Sequence, residues 1–232
     1  GIYTLTGVGV AKAGPGIVIA FALVGVICAA VALAYAELAT MIPGSGGAYT
    51  YSYAALGELL AWFVGWSLIL EYSLVVSAVA VGWSGYAVGF LTGLDLGFPA
   101  ALANGPHAGG IVNLPAIVII AVVTGLLLLG TRESATVNAV LVAVKIAALV
   151  LFVALALPAF NPANFDPLMP YGFNKSVEDG VERGVMAGAA IVFFAFYGFD
   201  TISTAAEEAR NPGRDLTIGI IGSMLLCTVI YM

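Results

Sequence analysis

Long apolar runs, separated by short linkers rich in glycine, proline or charge, are the feature that most restricts how this chain can fold. A helix needs about 20 apolar residues to cross a bilayer, and six runs are candidates: 16–41, 58–91, 111–130, 135–157, 184–209 and 216–232. Of the 232 residues, 62% are hydrophobic and only 9% are charged, whereas about a quarter of a soluble domain is charged. The sequence therefore predicts an all-α polytopic membrane protein and excludes a water-soluble globule.

Residues 1–13 precede the first full run and end at Lys12, just before the helix-breaking pair Gly14-Pro15. At 1.5 Å per residue, a helix of this length covers only about half of a bilayer. We expect a fragment that lacks the opening half-helix and several helices after Met232. About one half-helix and six spans are then present.

Charged and metal-ligating residues are too few for most other classes of function. The 13 acidic and 7 basic residues give a net charge of −6, which excludes the basic surface of a nucleic-acid-binding protein. His107 is the only histidine, and Cys28 and Cys227 lie far apart in the sequence. We therefore predict no metal site, no cofactor, no catalytic set and no enzyme activity.

Arginines in the short linkers set the expected orientation in the membrane. Arg132, Arg210 and Arg214 lie next to the ends of spans, where the positive-inside bias is strongest. The longer linker 158–183 mixes basic with acidic residues. We place the three arginines in the cytoplasm and the linker 158–183 outside.

Three ionisable residues lie deep inside the predicted spans. Glu71 lies about 20 Å from the start of its span, and Lys145 and Asp200 lie about 15 Å from the nearest span end. Charged groups near the midplane are costly and mark a functional interior. A purely structural buried ion pair is the alternative.

Aromatic residues crowd around one glycine in the fifth full run. The stretch 193–199 reads FFAFYGF and is followed by small polar residues. A helix interrupted at Gly198 would free main-chain amides and carbonyls for a ligand at the midplane. A glycine that only allows close helix packing is the alternative.

The beginning of the chain is echoed 197 positions later. The shift aligns Gly1-Ile2 with Gly198-Phe199, and Pro15-Gly16 with Pro212-Gly213. The two half-helices leave the predicted membrane on opposite faces, as the halves of an inverted repeat do. Chance similarity among small residues is the alternative.

Several motifs together resemble the amino acid–polyamine–organocation superfamily, most closely its bacterial cationic amino acid transporter-like branch. The matching segments run almost from end to end: GIYTLTG at 1–7, AGP at 13–15, YAEL at 35–38, 43–51, GW at 65–66 through EY at 71–72, 194–200, EE at 207–208, NP at 211–212 and RD at 214–215.

The resemblance implies a five-plus-five inverted-repeat fold like that of the leucine transporters. Residues 1–157 then form the first repeat without its opening half-helix. Residues 158–183 form an extracellular loop, and 184–232 begin the second repeat. Such proteins carry amino acids across the plasma membrane or the bacterial inner membrane by alternating access.

The resemblance also implies roles for individual residues. An amino acid binds between the broken first and sixth helices, and the residues implied at this substrate site are Gly1, Ile2, Thr4, Phe194, Ala195, Tyr197 and Gly198. Lys145 corresponds to a lysine that couples transport to protons, with Glu71 and Asp200 as supporting charges. The expected partners are the amino acid substrate and membrane lipid, with a proton gradient instead of a cofactor. An exchanger of amino acids or polyamines and a transport-incompetent sensor or subunit stay open as alternatives.

Overall fold

The computed structural model describes residues 2–42, 44–129, 131–178, 180–207 and 209–232, and helices dominate them. The α-helices, in chain order, are α1 (Ile2–Ala13), α2 (Ile17–Met41), α3 (Ala48–Leu56), α4 (Glu58–Gly93), α5 (Ala100–Ala103), α6 (Leu114–Leu129), α7 (Thr131–Ala156), α8 (Val185–Val192) and α9 (Pro212–Tyr231). Short 3-10 helices lie at Gly14–Gly16, Pro106–Ala108, Leu157–Ala159, Pro162–Phe165, Phe193–Phe196 and Asp200–Ala205. Two short strands, β1 (Ser176–Glu178) and β2 (Val181–Arg183), pair as an antiparallel hairpin in which Val177 faces Glu182.

Within the described residues, five helical segments are long and apolar enough to cross a membrane. These are Thr4–Met41, Glu58–Gly93, Ala135–Ala159, Val185–Ala205 and Pro212–Tyr231. The predicted all-α polytopic architecture is therefore confirmed. The expected span 111–130 is a shorter helix of 16 residues, α6, because the side chain of Asn113 accepts a hydrogen bond from the Ala116 amide and caps the helix start.

The chain turns back on itself between α1 and α2. A Cβ atom placed on Gly9 would lie 2.6 Å from the side chain of Ile17, although eight residues of straight helix would separate these positions by about 12 Å. The reversal occurs at Gly14–Gly16, where Gly14 has a φ of 62°, a conformation that glycine adopts without steric cost. The break predicted at Gly14-Pro15 is thus a tight helical hairpin, and the apolar segment Thr4–Met41 contains two helices, α1 and α2.

The first of two compact units comprises Gly1–Glu71 and Pro162–Met232. Its core lies between α2, α8 and α9, and among its fully buried side chains are Phe21, Cys28, Val192 and Ile220. The most extensive helix contact joins α2 to α9, and the next joins α1 to α8.

Small residues allow these helices to approach closely, as in other membrane helix pairs. A Cβ atom on Gly188 of α8 would lie 2.8 Å from the Cβ of Ala13 in α1. A Cβ atom on Gly25 of α2 would lie 2.6 Å from Thr228 in α9. Both contacts therefore depend on the missing glycine side chain.

The predicted extracellular loop is an ordered layer on the α1–α2 turn. A Cβ atom on Gly14 would contact Pro170, and Lys175 forms an ion pair with Glu182 across the hairpin. The Nζ atom of Lys12 donates to the Glu182 carbonyl at 3.4 Å. The hydrogen bond from Lys175 lowers the pKa of the exposed Glu182 carboxyl group.

The predicted linker between the first two full spans contains the helix α3 and a glycine-rich loop. The Ser45 amide donates to a carboxylate oxygen of Glu207 at 3.2 Å. The ring of Tyr51 packs edge-on against Tyr35, and Tyr35 packs in the same way against Phe199. The linker is therefore part of the first unit's packing rather than a free connection.

The second unit comprises Tyr72–Asn161, which includes most of α4 and the helices α5, α6 and α7. Within it, α6 packs against α7 and α5 against α6. Large aliphatic side chains along these helices are exposed, for example Leu128, Val150 and Leu155. Exposed apolar side chains of this kind are compatible with lipid or with further helices.

The units do not follow the repeat boundaries expected from the sequence, 1–157, 158–183 and 184–232. The physical reason is that a helix of one expected repeat packs on its counterpart in the other, α1 on α8 and α2 on α9. The repeat boundaries stay a prediction.

We expect Gly188→Leu to destabilise the protein, because the added side chain overlaps Ala13 where α1 crosses α8. Overpacking of this kind costs about 1–3 kcal/mol. The matched control is Gly222→Leu on α9, where a Cβ atom meets nothing within 4 Å. Thermal unfolding in detergent should show a loss of stability for Gly188→Leu alone, and equal losses would contradict the close α1–α8 contact.

Candidate functional site

The fifth candidate run is interrupted in the middle. The helix α8 ends at Val192 and tightens into the 3-10 helix Phe193–Phe196, and Tyr197 is extended with φ −61° and ψ 138°. Gly198 follows with a φ of 103°, before a second 3-10 helix, Asp200–Ala205. The predicted interruption at Gly198 is confirmed. We call residues 193–199 the break.

The break lies beside α1, and α1 and α8 run in opposite directions. The Gly184 amide donates to the Lys12 carbonyl at 2.9 Å, and Gly9 contacts Val192 near the other end of α8. This antiparallel register brings the start of α1 to the 3-10 helix Phe193–Phe196, with which α1 is in contact. The first residues of α1 and the partly negative C-terminal end of α8 therefore lie at one level.

The structure brings four of the predicted site residues together and describes the others less fully. Phe194, Ala195, Tyr197 and Gly198 all lie within the break and are half-buried, and the rings of Phe194 and Tyr197 stack with their centroids 6.0 Å apart. Three further predicted residues lie at the start of the chain. Ile2 begins α1, Thr4 is exposed in its first turn, and Gly1 lies outside the described residues.

A hydrogen bond from α9 reaches a carbonyl of the break. The Tyr231 hydroxyl donates to the Ala195 carbonyl at 3.1 Å, and its ring packs edge-on against Phe196 and tilted against Phe21. Tyr231 was not among the site residues predicted from the sequence. Its position inside an apolar span could have indicated a role, because a buried tyrosine hydroxyl group needs a hydrogen-bond partner.

Two of the predicted midplane charges belong to the same unit as the break. Glu71 and Asp200 both lie near enough to Tyr197 and Tyr35 for their charges to act on the two hydroxyl groups. Lys145 lies on α7 in the second unit, where it has an interaction partner. Its predicted convergence with Glu71 and Asp200 stays a prediction.

The polar groups at the break suit reversible binding of a small polar molecule. They are main-chain amides and carbonyls together with tyrosine hydroxyl groups, which bind ligands through hydrogen bonds. In the part of the chain that the structure describes, no cluster of three histidine, cysteine or acidic side chains is suited to holding a metal ion.

Comparison with known proteins decides the family. The family described as "Amino acid permease" matches residues 1–232. The chain belongs to the amino acid permease family. This family lies within the superfamily that the sequence motifs resemble, and its members are permeases, not enzymes.

Individual relatives agree with this family and differ in what they carry. The chain is 49% identical over 236 residues to the branched-chain amino acid permease BcaP of Bacillus subtilis (strain 168), covering 100% of this chain and 49% of the relative. It is 45% identical over 235 residues to the methylthioribose transporter of the same strain, with coverage of 100% and 49%. It is 41% identical over 236 residues to the vacuolar cationic amino acid transporter 2 of Arabidopsis thaliana, with coverage of 100% and 36%.

This permease-family chain is a multi-pass membrane protein. It spans about half of the length of the two bacterial relatives and about a third of the plant one.

We expect Gly198→Ala to lower the stability of the protein. Its φ of 103° is strained for any residue with a Cβ atom, and such strain costs on the order of 1–3 kcal/mol. Gly222→Ala is the control, because alanine in a helix interior is favoured over glycine by up to about 1 kcal/mol. Thermal unfolding should therefore move in opposite directions for the two variants, and an unchanged Gly198→Ala protein would argue against the interruption.

Proposed function

We propose that this protein takes part in secondary active transport of amino acids across the plasma membrane or a bacterial inner membrane. The observation that carries the proposal is the contact of α1 with a break in the main chain that follows the C-terminal end of α8. An amino acid is a zwitterion, so it needs a donor-rich and an acceptor-rich region side by side. The start of α1 provides the first, and the end of α8 provides the second.

The proposed binding mode assigns one charged group of the substrate to each helix end. The substrate carboxylate lies at the amides that begin α1, beside Gly1 and Ile2. The substrate ammonium lies at the carbonyls of Phe194, Ala195 and Tyr197. A carbonyl oxygen has two lone pairs, so the hydrogen bond from α9 leaves the Ala195 carbonyl able to accept one more.

Alternating access then uses the break as the point of movement. A helix divided into two pieces allows one piece to tilt while the other stays packed, as in other inverted-repeat transporters. In this proposal the stacked rings of Phe194 and Tyr197 cover the bound amino acid. The family, the bacterial permease relative and the plant transporter relative support an amino acid as the substrate.

Proton coupling through Lys145 is the finer part of the proposal. A protonated lysine deep in a membrane helix is costly unless it is paired or reaches water. Its protonation therefore depends on contacts that can change between the two access states. In the proposed cycle, protonated Lys145 takes the role of a sodium ion and favours substrate binding, and loss of the proton releases the substrate. No cofactor takes part.

Transport itself is tested with the full-length protein in proteoliposomes. Counterflow of labelled amino acid with and without a pH gradient separates three outcomes. Concentration of the substrate by the gradient supports symport, and exchange that ignores the gradient indicates an exchanger. A protein that shows neither concentration by the gradient nor exchange is a transport-incompetent sensor or subunit, and this result contradicts the proposal.

We expect Phe194→Ala to weaken amino acid binding by about tenfold or more, since loss of an aromatic anchor costs on the order of 2 kcal/mol. Phe90→Ala, near the end of α4 and 68% exposed, is the matched control and should change little. Isothermal titration or substrate-dependent thermal shift measures both. Equal effects at the two positions would argue against a localised site at the break.

We expect Lys145→Ala to abolish concentration of substrate by a pH gradient, since the variant has no side-chain amine at this position to gain or lose a proton. Lys175→Ala, which removes an exposed lysine of the outer loop, should keep this response. Uptake is measured at several pH values and with sodium removed. A Lys145→Ala protein that still follows the gradient contradicts the coupling role, and a sodium requirement in the unmodified protein contradicts proton coupling altogether.

A further inference from the structure

The glycine-rich loop before α3 lies against the piece of helix that follows the break. The Ser45 amide donates to a carboxylate oxygen of Glu207 at 3.2 Å. Gly47 has a φ of 52°, and a Cβ atom there would lie 3.1 Å from the hydroxyl oxygen of Ser203. Residues 44–51, which we call the clasp, therefore hold this piece of helix at two separate points.

Residues 200–207, which we call the second piece, are weakly fixed by their own hydrogen bonds. Most of the second piece is the 3-10 helix Asp200–Ala205, whose hydrogen-bond geometry is poorer than that of an α-helix. Ser203 is fully buried, and its hydroxyl group donates to the Asp200 carbonyl at 2.6 Å. The position of the second piece therefore depends on the elements that pack on it, the clasp among them.

A row of aromatic rings joins the clasp to the break through α2. The buried ring of Tyr51 in the clasp packs edge-on against Tyr35 of α2, with the centroids 6.1 Å apart. Tyr35 packs in the same way against Phe199, the last residue of the break, with the centroids 6.0 Å apart. One side chain, that of Tyr35, therefore connects the clasp to the break.

The clasp also contacts α4. A Cβ atom on Gly65 of α4 would lie 3.1 Å from the ring of Tyr49 in the clasp. The clasp therefore contacts both α4 and the second piece. Movement of the second piece relative to α4 must then move the clasp or break its contacts.

The contacts of the clasp differ in how easily they break. Ser45 and Glu207 are both exposed, so water can replace either partner of their hydrogen bond at little cost. Gly47 and Ser203 are buried, so their contact persists until the two segments separate. This combination suits an element that is released and re-formed as a protein exchanges between two states of similar free energy.

We propose that residues 44–51 act as a conformational clasp. They hold the second piece beside α4, and the hydrogen bond from Ser45 to Glu207 opens when that piece moves during transport. The inference rests on the proposed amino acid transport and goes beyond it by naming the element that restrains the broken helix. Ser45 and Glu207 are positioning residues, because they act through the second piece and not on the substrate.

The first test measures opening of the clasp and does not depend on transport. In the full-length protein, with every cysteine except Cys28 replaced by alanine, Ser203→Cys places a thiol in the buried contact with Gly47. Glu207→Ala should speed labelling of this thiol by N-ethylmaleimide about tenfold, the effect of losing one hydrogen bond to a charged group. Glu207→Gln keeps an oxygen acceptor and should label more slowly than Glu207→Ala.

Cys28 is the internal control for this test. It is 1% exposed in the core of the first unit, and Glu207→Ala should leave its labelling unchanged. Unchanged labelling of the Ser203→Cys thiol, an equal increase at Cys28, or equal labelling of the Glu207→Gln and Glu207→Ala variants overturns the inference.

The second test fixes the clasp in place. In the full-length protein without its native cysteines, a short bifunctional methanethiosulfonate joins the pair Ser45→Cys and Glu207→Cys. Cross-linking should lower counterflow of a labelled amino acid mixture to the level of protein-free liposomes, because the second piece can no longer leave the clasp. Cleavage of the cross-link by dithiothreitol should restore counterflow.

The matched control pair is Lys175→Cys with Glu182→Cys. The two residues already form an ion pair within one hairpin, so a link between them does not restrict the second piece, and counterflow should continue. Full counterflow with the clasp linked, equal loss with both pairs, or failure of the clasp pair to react overturns the inference.

The proposed transport and the clasp fail in different ways. A full-length protein that carries no amino acid contradicts the proposed transport, whereas the labelling test still decides whether Glu207 keeps the clasp closed. A protein that carries amino acids but shows one of the overturning outcomes above retains the transport function and loses the clasp.

Discussion

The structure depends on one constraint, which is that main-chain amides and carbonyls inside a bilayer need hydrogen-bond partners. A continuous helix satisfies them internally, and a broken one does not. At the break, the chain departs from helical geometry for Tyr197 and Gly198. One freed carbonyl is satisfied by Tyr231, and the proposed transport function assigns other polar groups of the break to the substrate.

Close helix packing supports the break on both sides. Gly25 allows α2 to approach α9, and Gly188 allows α8 to approach α1, because neither glycine has a side chain at the contact. The buried ring of Phe196 packs on Phe21. In the repeat arrangement expected from the sequence, these are pairs of corresponding helices. These contacts hold α1, α2, α8 and α9 together around the break.

Much of this architecture is readable from the sequence because the bilayer imposes a simple length rule. The apolar runs predicted the spans, and the aromatic and glycine composition around Gly198 predicted the interruption. The features that the sequence did not predict depend on tertiary contacts. The start of α6 depends on a cap from Asn113, and the partner of the Ala195 carbonyl comes from Tyr231, 36 residues away. The helix α3 and the hairpin at 176–183 were not predicted, since short elements are stabilised by neighbours that local patterns do not show.

The hydrogen bonds at the N-terminal end of α8 determine where this helix can attract a charged group. The amides of Gly184, Val185 and Met186 donate to the carbonyls of Lys12, Gly172 and Phe173, so the donors that usually make a helix N-terminus attractive to anions are already occupied. These three amides are therefore not available to bind an anion. The end of α8 that adjoins the break carries the partial negative charge of the helix dipole, which favours a cationic group there.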